Sequence, residues 1–274
     1  MLLLLRMAKY LPVPASDPVL ELYLRMNVAP YVLRFLRGNQ GGRAVDNSAS
    51  YGQFCPVAMA AEILGARWTI VLLRELLCGS VRFSDLRRGV TKMSPALLSK
   101  RLKELEEAGV LRVVRGVSGN NEYHLTEAGE DLRPVIMGIG NWGQAWVESR
   151  VSLRNLDPSL LMWDMRRGLD LRAVPDRRCT IQFLYPELSE KDRNWWIVVE
   201  GGKADLCSTD PGFETDLLLQ SSLRSMTMIW MGLSTLKKEQ ESGDLSIDGD
   251  PALARTIQSW LALSPFARVP RRVA

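Results

Sequence analysis

The chain contains few of the side chains from which catalytic and metal sites are usually built. Its 274 residues include one histidine and four cysteines, and no two cysteines have the C-x-x-C spacing of a zinc or redox site. His124 has no aspartate or cysteine companion nearby in the sequence, so an ordinary strand position is favoured over a triad or metal ligand. No glycine pair lies in the strand-to-helix context of a phosphate-binding loop. The sequence therefore predicts no catalysis, no metal and no cofactor.

Long apolar runs are also scarce. The opening segment MLLLLRMAKYLPVP is too short for a signal or membrane-spanning segment, and Arg6 interrupts it. The four widely spaced cysteines favour a reducing compartment. We therefore expect a cytoplasmic protein without membrane insertion.

Length and composition favour more than one folded unit. A chain of 274 residues with 46% hydrophobic and 24% charged residues fits two globular domains. We predict an N-terminal extension and linker over residues 1–52, a first domain over 53–152, a second over 153–266 and a disordered tail over 267–274. The extension, with a helical pattern broken at Pro30, is either a dimer-stabilising arm or leader sequence read from an upstream start codon.

Positive charge is concentrated in one segment. Residues 82–115 contain nine basic and four acidic side chains, whereas residues 151–274 contain 16 basic and 17 acidic ones. The net charge of +4 for the whole chain hides this contrast. A cationic segment attached to a nearly neutral one is typical of a nucleic-acid-binding module joined to another domain.

The centre of this segment, SPALLSKRLKELEEAG, predicts a helix over residues 95–108. Ser94 is a good N-cap and Pro95 suits the first helical position. The leucines at 98, 102 and 105 share the face that packs inward. A small, hydroxylic and cationic face points outward and suits a major groove; it consists of Ala96, Ser99, Lys100 and Lys103. A solvated charged face is the alternative.

Two short alternating segments follow this helix. LRVVRG and NEYHLT predict a two-stranded ribbon over residues 111–125, joined by a turn whose residues accept positive φ. Arg112 and Arg115 place positive charge on the ribbon. Upstream, two helices end at Gly65 and Gly79, and a short third helix is capped by Ser84. Helix and ribbon together predict a winged helix-turn-helix that binds double-stranded DNA.

A further helix is predicted from Thr126 to about residue 150. Its apolar stripe is longer than one small domain needs, and it consists of Leu132, Val135, Ile136, Ile139, Trp142 and Trp146. We predict that the stripe forms a homodimer. Packing against the second domain is the alternative.

These motifs resemble the HxlR-type winged-helix transcriptional regulators, relatives of the MarR group. The similarity covers about residues 53–150 and rests on Cys-Pro, Gly-Ala-Arg-Trp-Thr, Arg-Phe-Ser-Asp-Leu, Leu-Ser-Lys-Arg-Leu-Lys-Glu-Leu-Glu and Glu-Tyr-His-Leu-Thr. It implies a homodimer on a pseudo-palindromic operator. By motif position, the groove residues are Ser94, Pro95, Ala96, Ser99, Lys100, Arg101 and Lys103. The wing residues are Arg112, Arg115, Ser118, Asn120 and Asn121.

Cys55 precedes the first helix, where some HxlR-type regulators sense oxidants. A thiolate near a helix N-terminus is stabilised. The resemblance implies redox sensing here, although Cys-Pro also occurs in members without that role.

The second half predicts strands followed by helices, an α+β fold with an antiparallel sheet. Strands are expected in RCTIQFLYP, NWWIVVE, ADLCSTD, TDLLLQSS and DLSIDGD, with a hairpin at Gly201-Gly202. Helices are expected in LRSMTMIWMG, in a segment capped by Ser234, and in PALARTIQSWL. This half resembles the sterol-carrier-protein type-two-like domain through residues 195–232, the segment around 243–250 and Trp260-Leu261.

That resemblance implies an apolar cavity for a lipid or another small apolar ligand. Methionines and tryptophans supply an adaptable wall for such a ligand; they are Trp195, Trp196, Met226, Met228, Trp230 and Met231. An ordinary core is the alternative.

We therefore predict a dimeric DNA-binding regulator modulated by an unidentified hydrophobic ligand. The competing hypothesis is a lipid carrier that uses the winged helix only for dimerisation or protein interaction. The basic outward face argues against that hypothesis, because a protein-docking helix would expose more apolar surface.

Overall fold

The computed structural model describes residues 50–117, 119–148 and 153–273. The predictions for residues 1–49 lie outside these ranges, as do those for Ser118 and Ala274. Within the described ranges, no single helix is long and apolar enough to cross a membrane; the helices Pro56–Leu64 and Thr69–Leu77 meet that test only as a pair bent by 83°, by length and composition alone.

The first part of the chain folds into a helical unit with a two-stranded ribbon. Its helices are α1 (Pro56–Leu64), α2 (Thr69–Leu77), α3 (Phe83–Gly89), α4 (Pro95–Glu107), α5 (Glu127–Glu130) and α6 (Arg133–Trp146). The ribbon strands are β1 (Leu111–Arg115) and β2 (Asn121–Leu125), which pair antiparallel. The buried leucines of α2 and α4 share one hydrophobic cluster with Leu86, Val110 and Ile136.

The helix and ribbon follow the sequence prediction closely. Ser94 Oγ accepts a hydrogen bond from Leu97 N at 3.3 Å, Pro95 opens α4, and Leu98, Leu102 and Leu105 are buried. Because these three signals agree on one boundary and one face, α4 lies where it was expected.

Two other boundaries in this unit were predicted wrongly. Helix α3 begins after Arg82, so Ser84 lies inside the helix and does not cap it. The single long helix expected after Thr126 is two helices, with Asp131 and Leu132 between them. Pro134 in the first turn of α6 explains the break, because it has no N–H to donate to Glu130 O, although Asp131 and Leu132 keep right-handed helical backbone.

The second part of the chain is a sheet covered by helices. Its strands are β3 (Cys179–Leu184), β4 (Asn194–Glu200), β5 (Lys203–Cys207), β6 (Leu217–Ser221) and β7 (Leu245–Gly249). Its helices are α7 (Pro158–Gly168), α8 (Glu190–Arg193), α9 (Leu223–Trp230), α10 (Leu236–Glu241), α11 (Pro251–Arg255) and α12 (Ile257–Trp260), with a 3₁₀ turn at Leu171–Ala173.

The sheet is mixed, which corrects the predicted antiparallel sheet. Its strand order is β5-β4-β3-β6-β7, and β3 and β6 run parallel while the other pairs are antiparallel. The chain leaves β5 at one edge of the sheet, and residues 208–216 pass β4 and β3. Strand β6 therefore lies on the far side of β3 and runs parallel to it. Strand patterns predict pairing partners only for neighbours joined by tight turns.

Some of the turn and helix-cap predictions for the second part of the chain agree with the structure, and others are wrong. Gly201 and Gly202 have φ of 55° and 71°, as the predicted hairpin requires. Asp250 Oδ1 caps α11, but the closing helix divides at Thr256 into α11 and α12. Helix α10 is capped by Thr235 and not by Ser234.

The closing residues pack against the first unit, so the prediction of a disordered tail is wrong. Arg272 N donates to Ala145 O at 2.8 Å, and Arg271 donates to Val147 O. A Cβ at position 140 would overlap the Phe266 ring, so Gly140 gives the tail a close approach to α6.

Candidate nucleic-acid interface

The outward face of α4 is small and cationic. Ala96 and Ser99 are exposed, and the Lys100 and Lys103 side chains are 66% and 75% exposed. Each lysine lies near a glutamate one turn later, with Nζ–Oε distances of 3.9 and 3.7 Å. Such exposed i,i+4 pairs contribute little energy, so both ammonium groups can exchange their glutamate for a phosphate or base edge. Ser94 and Pro95 are exposed at the beginning of the same helix.

Arg101 lies differently from the neighbouring lysines. Its side chain is only 15% exposed, its Nε donates to Arg67 O at 3.2 Å, and its guanidinium pairs with Glu104. Arg101 thus ties α4 to the turn before α2. These contacts hold its guanidinium against the fold, so a contact of Arg101 with DNA stays a prediction.

The ribbon places two further arginines beside this face. Arg112 stands opposite His124 and Arg115 opposite Asn121, and both arginines are exposed. Arg115 Nη1 contacts Asn121 Oδ1 at 3.5 Å. His124 lies in β2, and its Nε2 is 3.2 Å from the carboxylate of Glu122, a neighbour on the same face of the strand.

A third chain segment completes the ribbon and adds a cation that the sequence prediction missed. Tyr123 N donates to Val81 O at 2.8 Å, and Arg82 forms a bridge opposite Glu122. The Arg82 side chain is 62% exposed and lines an open groove of about 600 Å³. The groove is lined by Arg82, Phe83, Ser84, Arg115, Gly119, Asn120, Asn121 and Tyr123. In the sequence, Arg82 is one of the nine basic residues of segment 82–115. Only its pairing with Glu122 shows that it lies beside the wing.

Cys55 occupies the N-cap position of α1. Cys55 is half-buried, and the backbone N–H groups of Ala58 and then Val57 lower the pKa of its thiol. These donors stabilise the thiolate, the form that reacts with oxidants. All four cysteines are free. Among the described residues, no cluster of three His, Cys, Asp or Glu side chains could hold a metal ion.

Helix α6 has two different faces. Val135, Ile139, Trp142 and Trp146 are 46%, 43%, 63% and 48% exposed, whereas Ile136 is buried and Leu132 packs against the same cluster. The predicted stripe is therefore divided. Four of its six residues remain exposed, and in α1 the apolar side chains of Val57, Met59 and Ile63 are exposed as well.

The six residues of the predicted ligand pocket do not surround one cavity. Trp195 and Trp196 are consecutive in β4 and point to opposite faces of the sheet. Met226 is fully buried in the core, while Trp195 and Trp230 line two separate cavities. Met228 and Met231 are partly buried. Trp195 and Met226 belong to the core of the second unit, and Trp230 packs against that core.

Comparison with known proteins matches the first unit. A family model described as HxlR-like helix-turn-helix matches residues 63–151. An uncharacterized HTH-type transcriptional regulator of Bacillus subtilis, YdeP, is 36% identical over 104 residues, which cover 37% of this chain and 81% of that protein. The chain belongs to the HxlR-like helix-turn-helix family.

Two other relatives match a stretch of about the same length. YvaP of Bacillus subtilis is 36% identical over 99 residues, which cover 35% of this chain and 92% of that protein. Rv3095 of Mycobacterium tuberculosis is 40% identical over 93 residues, which cover 33% of this chain and 58% of that protein. Both are named uncharacterized HTH-type transcriptional regulators. The sterol-carrier-like character of the second unit stays a prediction.

Proposed function

We propose that the protein is a transcriptional regulator that binds a pseudo-palindromic DNA operator as a homodimer. The observation that carries this proposal is the exposed face of α4, with Lys100 and Lys103 unobstructed, beside a ribbon with Arg82, Arg112 and Arg115. Helix α4 enters the major groove, and the ribbon arginines contact flanking phosphates. The regulator names of the relatives support this function.

The dimer is formed by the exposed apolar residues of α6 together with α1. Trp142 and Trp146 are 63% and 48% exposed on one face of α6. Exposure of so much apolar surface to water is unfavourable, and contiguous apolar surface of this kind marks interaction sites. A two-fold dimer presents two recognition helices to half-sites about one helical turn apart.

The second unit modulates operator affinity through a small apolar ligand. Its first helix, α7, contacts both α2 and α3 of the winged helix, so a change in the second unit reaches the helix that precedes α4. Cys55, with its stabilised thiolate, is a second input that responds to oxidants.

The test begins by recovering genomic DNA fragments that the purified protein retains at near-physiological salt. We expect enrichment of a pseudo-palindromic site. On that site, Lys103→Ala should weaken binding at low salt and reduce the slope of log K against log salt by about one if Lys103 contacts phosphate.

Arg101→Ala is the comparison variant, because Arg101 is held inside the fold. We expect it to lower the unfolding temperature, which Lys103→Ala should leave unchanged. Retention of random fragments, or of none, would contradict the regulator proposal. If Arg101→Ala keeps full stability but reduces the slope of log K against log salt, then Arg101 contacts the DNA as the sequence predicted.

A further inference from the structure

A cavity of about 200 Å³ lies between the two units. One wall comes from α2 and α6 of the winged helix, and the other from α7, α9 and the closing residues 263–266. Most of the lining is apolar and includes Leu77, Ile136, Met137, Trp230 and Phe266. The cavity exists only where the two units meet, so its shape depends on how they dock.

The polar part of the lining is mainly cationic. Arg74, Arg133 and Arg167 line the cavity together with Asp164. Asp164 and the buried Glu75 balance Arg74 and Arg167. Arg133 is different: its side chain is 52% exposed, its charge partner is the equally exposed Glu130, and its Nη1 donates to Leu77 O at 3.1 Å. An exposed pair of this kind is weak, so Arg133 can bind another anion.

Two buried donors in this wall also have no acceptor. Within the described residues, neither Arg74 Nε nor Arg167 Nε has a hydrogen-bond partner. A buried N–H without an acceptor is destabilising. Both atoms are inaccessible to water, so a molecule in the cavity reaches them only if the wall rearranges. The accessible cation of the lining is Arg133, and the apolar wall holds the rest of a bound molecule.

The volume limits the size of the occupant. A dry cavity of about 150 Å³ accommodates benzene, so this one fits about one aromatic ring or an eight-carbon chain with one small polar group. We propose that the cavity binds a small monocarboxylate, with the carboxylate toward Arg133 and the apolar body against Met137, Trp230 and Phe266. This ligand is distinct from a long-chain lipid in the core of the second unit.

The location links binding to the winged helix. Arg74 and Arg167 bind Glu75 of α2, and α7 packs on α3. Any effect of the ligand on operator affinity rests on the proposed function, whereas binding itself does not. For this reason the test is performed without DNA.

Cys78 lines the cavity and is exposed, so we expect a bound ligand to shield its thiol from a reagent. In the full chain with Cys55→Ser and Cys207→Ser, we would measure the rate of Cys78 alkylation by a maleimide, and the unfolding temperature, with octanoate or benzoate. We expect both acids to slow alkylation and raise the unfolding temperature. Octanol and benzamide should act much more weakly, and hexadecanoate should not fit.

Variants separate anion binding from a general solvent effect. Arg133→Gln should weaken the apparent affinity for octanoate about tenfold or more, and Arg255→Gln, an exposed arginine that does not line the cavity, should not. Met137→Glu should abolish binding by placing a carboxylate in the wall.

Equal effects of acids and neutral analogues, or an unchanged affinity in Arg133→Gln, would overturn the carboxylate assignment. If no compound changes either the alkylation rate or the unfolding temperature, the cavity is not a ligand site. Neither result would bear on DNA binding.

Discussion

Glu75 is the residue on which the contact between the two units depends. It belongs to α2, is completely buried, and accepts hydrogen bonds from Arg167 at 2.8 and 3.0 Å and from Trp163 Nε1 at 2.8 Å, both residues of α7. Ser80 and Arg74 complete its surroundings. Gly89 is required beside it, because a Cβ there would overlap the carboxylate.

The ionisation of Glu75 follows from these contacts. Burial alone would raise its pKa, but the hydrogen bonds and charge of Arg167, with hydrogen bonds from Ser80 and Trp163, outweigh burial and lower the pKa. A carboxyl whose pKa is lower in the folded state stabilises the fold above its unfolded-state pKa of about 4.3. That contribution is lost as the pH falls from there toward the folded-state pKa.

We expect Glu75→Gln to reduce the free energy of unfolding by about 3 kcal/mol at neutral pH, because Arg167 then loses one of its two carboxylate partners and shares only Asp164 with Arg74. The difference between wild type and variant should shrink as the pH falls below about 4.3. Urea unfolding followed by tryptophan fluorescence at a series of pH values measures both effects.

The control for this variant is Glu241→Gln, which removes an exposed carboxylate 3.7 Å from Lys237. It should change the free energy of unfolding by less than about 0.5 kcal/mol. If Glu75→Gln behaves like the control, the buried network does not stabilise the fold.

At the scale of helices and strands, prediction worked where several local signals coincide. Ser94, Pro95 and the three leucines specify α4, and Gly201-Gly202 specifies a hairpin. The two faces of α6 could not be separated from the sequence, because Ile136 and Ile139 are equally apolar; only the position of the core distinguishes them. Helix α7 was missed altogether, although Asp157 caps it and Pro158 opens it.

The exposed face of α6 gives a prediction for assembly. Trp142 is 63% exposed in the single chain, and we expect it to be buried in the homodimer. Trp142→Ser should weaken dimerisation about thirtyfold or more, the effect of removing a tryptophan from the centre of an interface. Sedimentation equilibrium over a range of protein concentrations measures the change.

Phe213→Ser serves as the comparison, because Phe213 is an aromatic residue 40% exposed on the second unit. It should leave the dimerisation constant unchanged. A wild-type protein that is monomeric at all concentrations, or a Trp142→Ser protein that dimerises normally, would show that α6 has another partner.

For the whole molecule, polar groups join the two units at several points. Arg88 of α3 lies 5.2 Å from the Trp163 ring, and Thr91 Oγ1 donates to Asp157 at 2.7 Å. The sequence indicates each unit through its own apolar pattern. It does not indicate this interface, because a buried ion pair between distant residues has no periodicity.

This arrangement makes cooperative unfolding depend on a few charged residues. With the Glu75 network intact, we expect calorimetry to show one unfolding transition for the described units, since the interface couples them. Arg167→Met keeps much of the side-chain volume but leaves Glu75 without its main partner, at a cost of about 3–5 kcal/mol. That loss falls on the interface and leaves most contacts within each cluster intact, so two transitions should separate.

The control is Arg172→Met, which alters an arginine whose side chain is 91% exposed and which should retain one transition. A single transition in Arg167→Met, shifted no more than in Arg172→Met, would mean that the units communicate through apolar contacts or not at all.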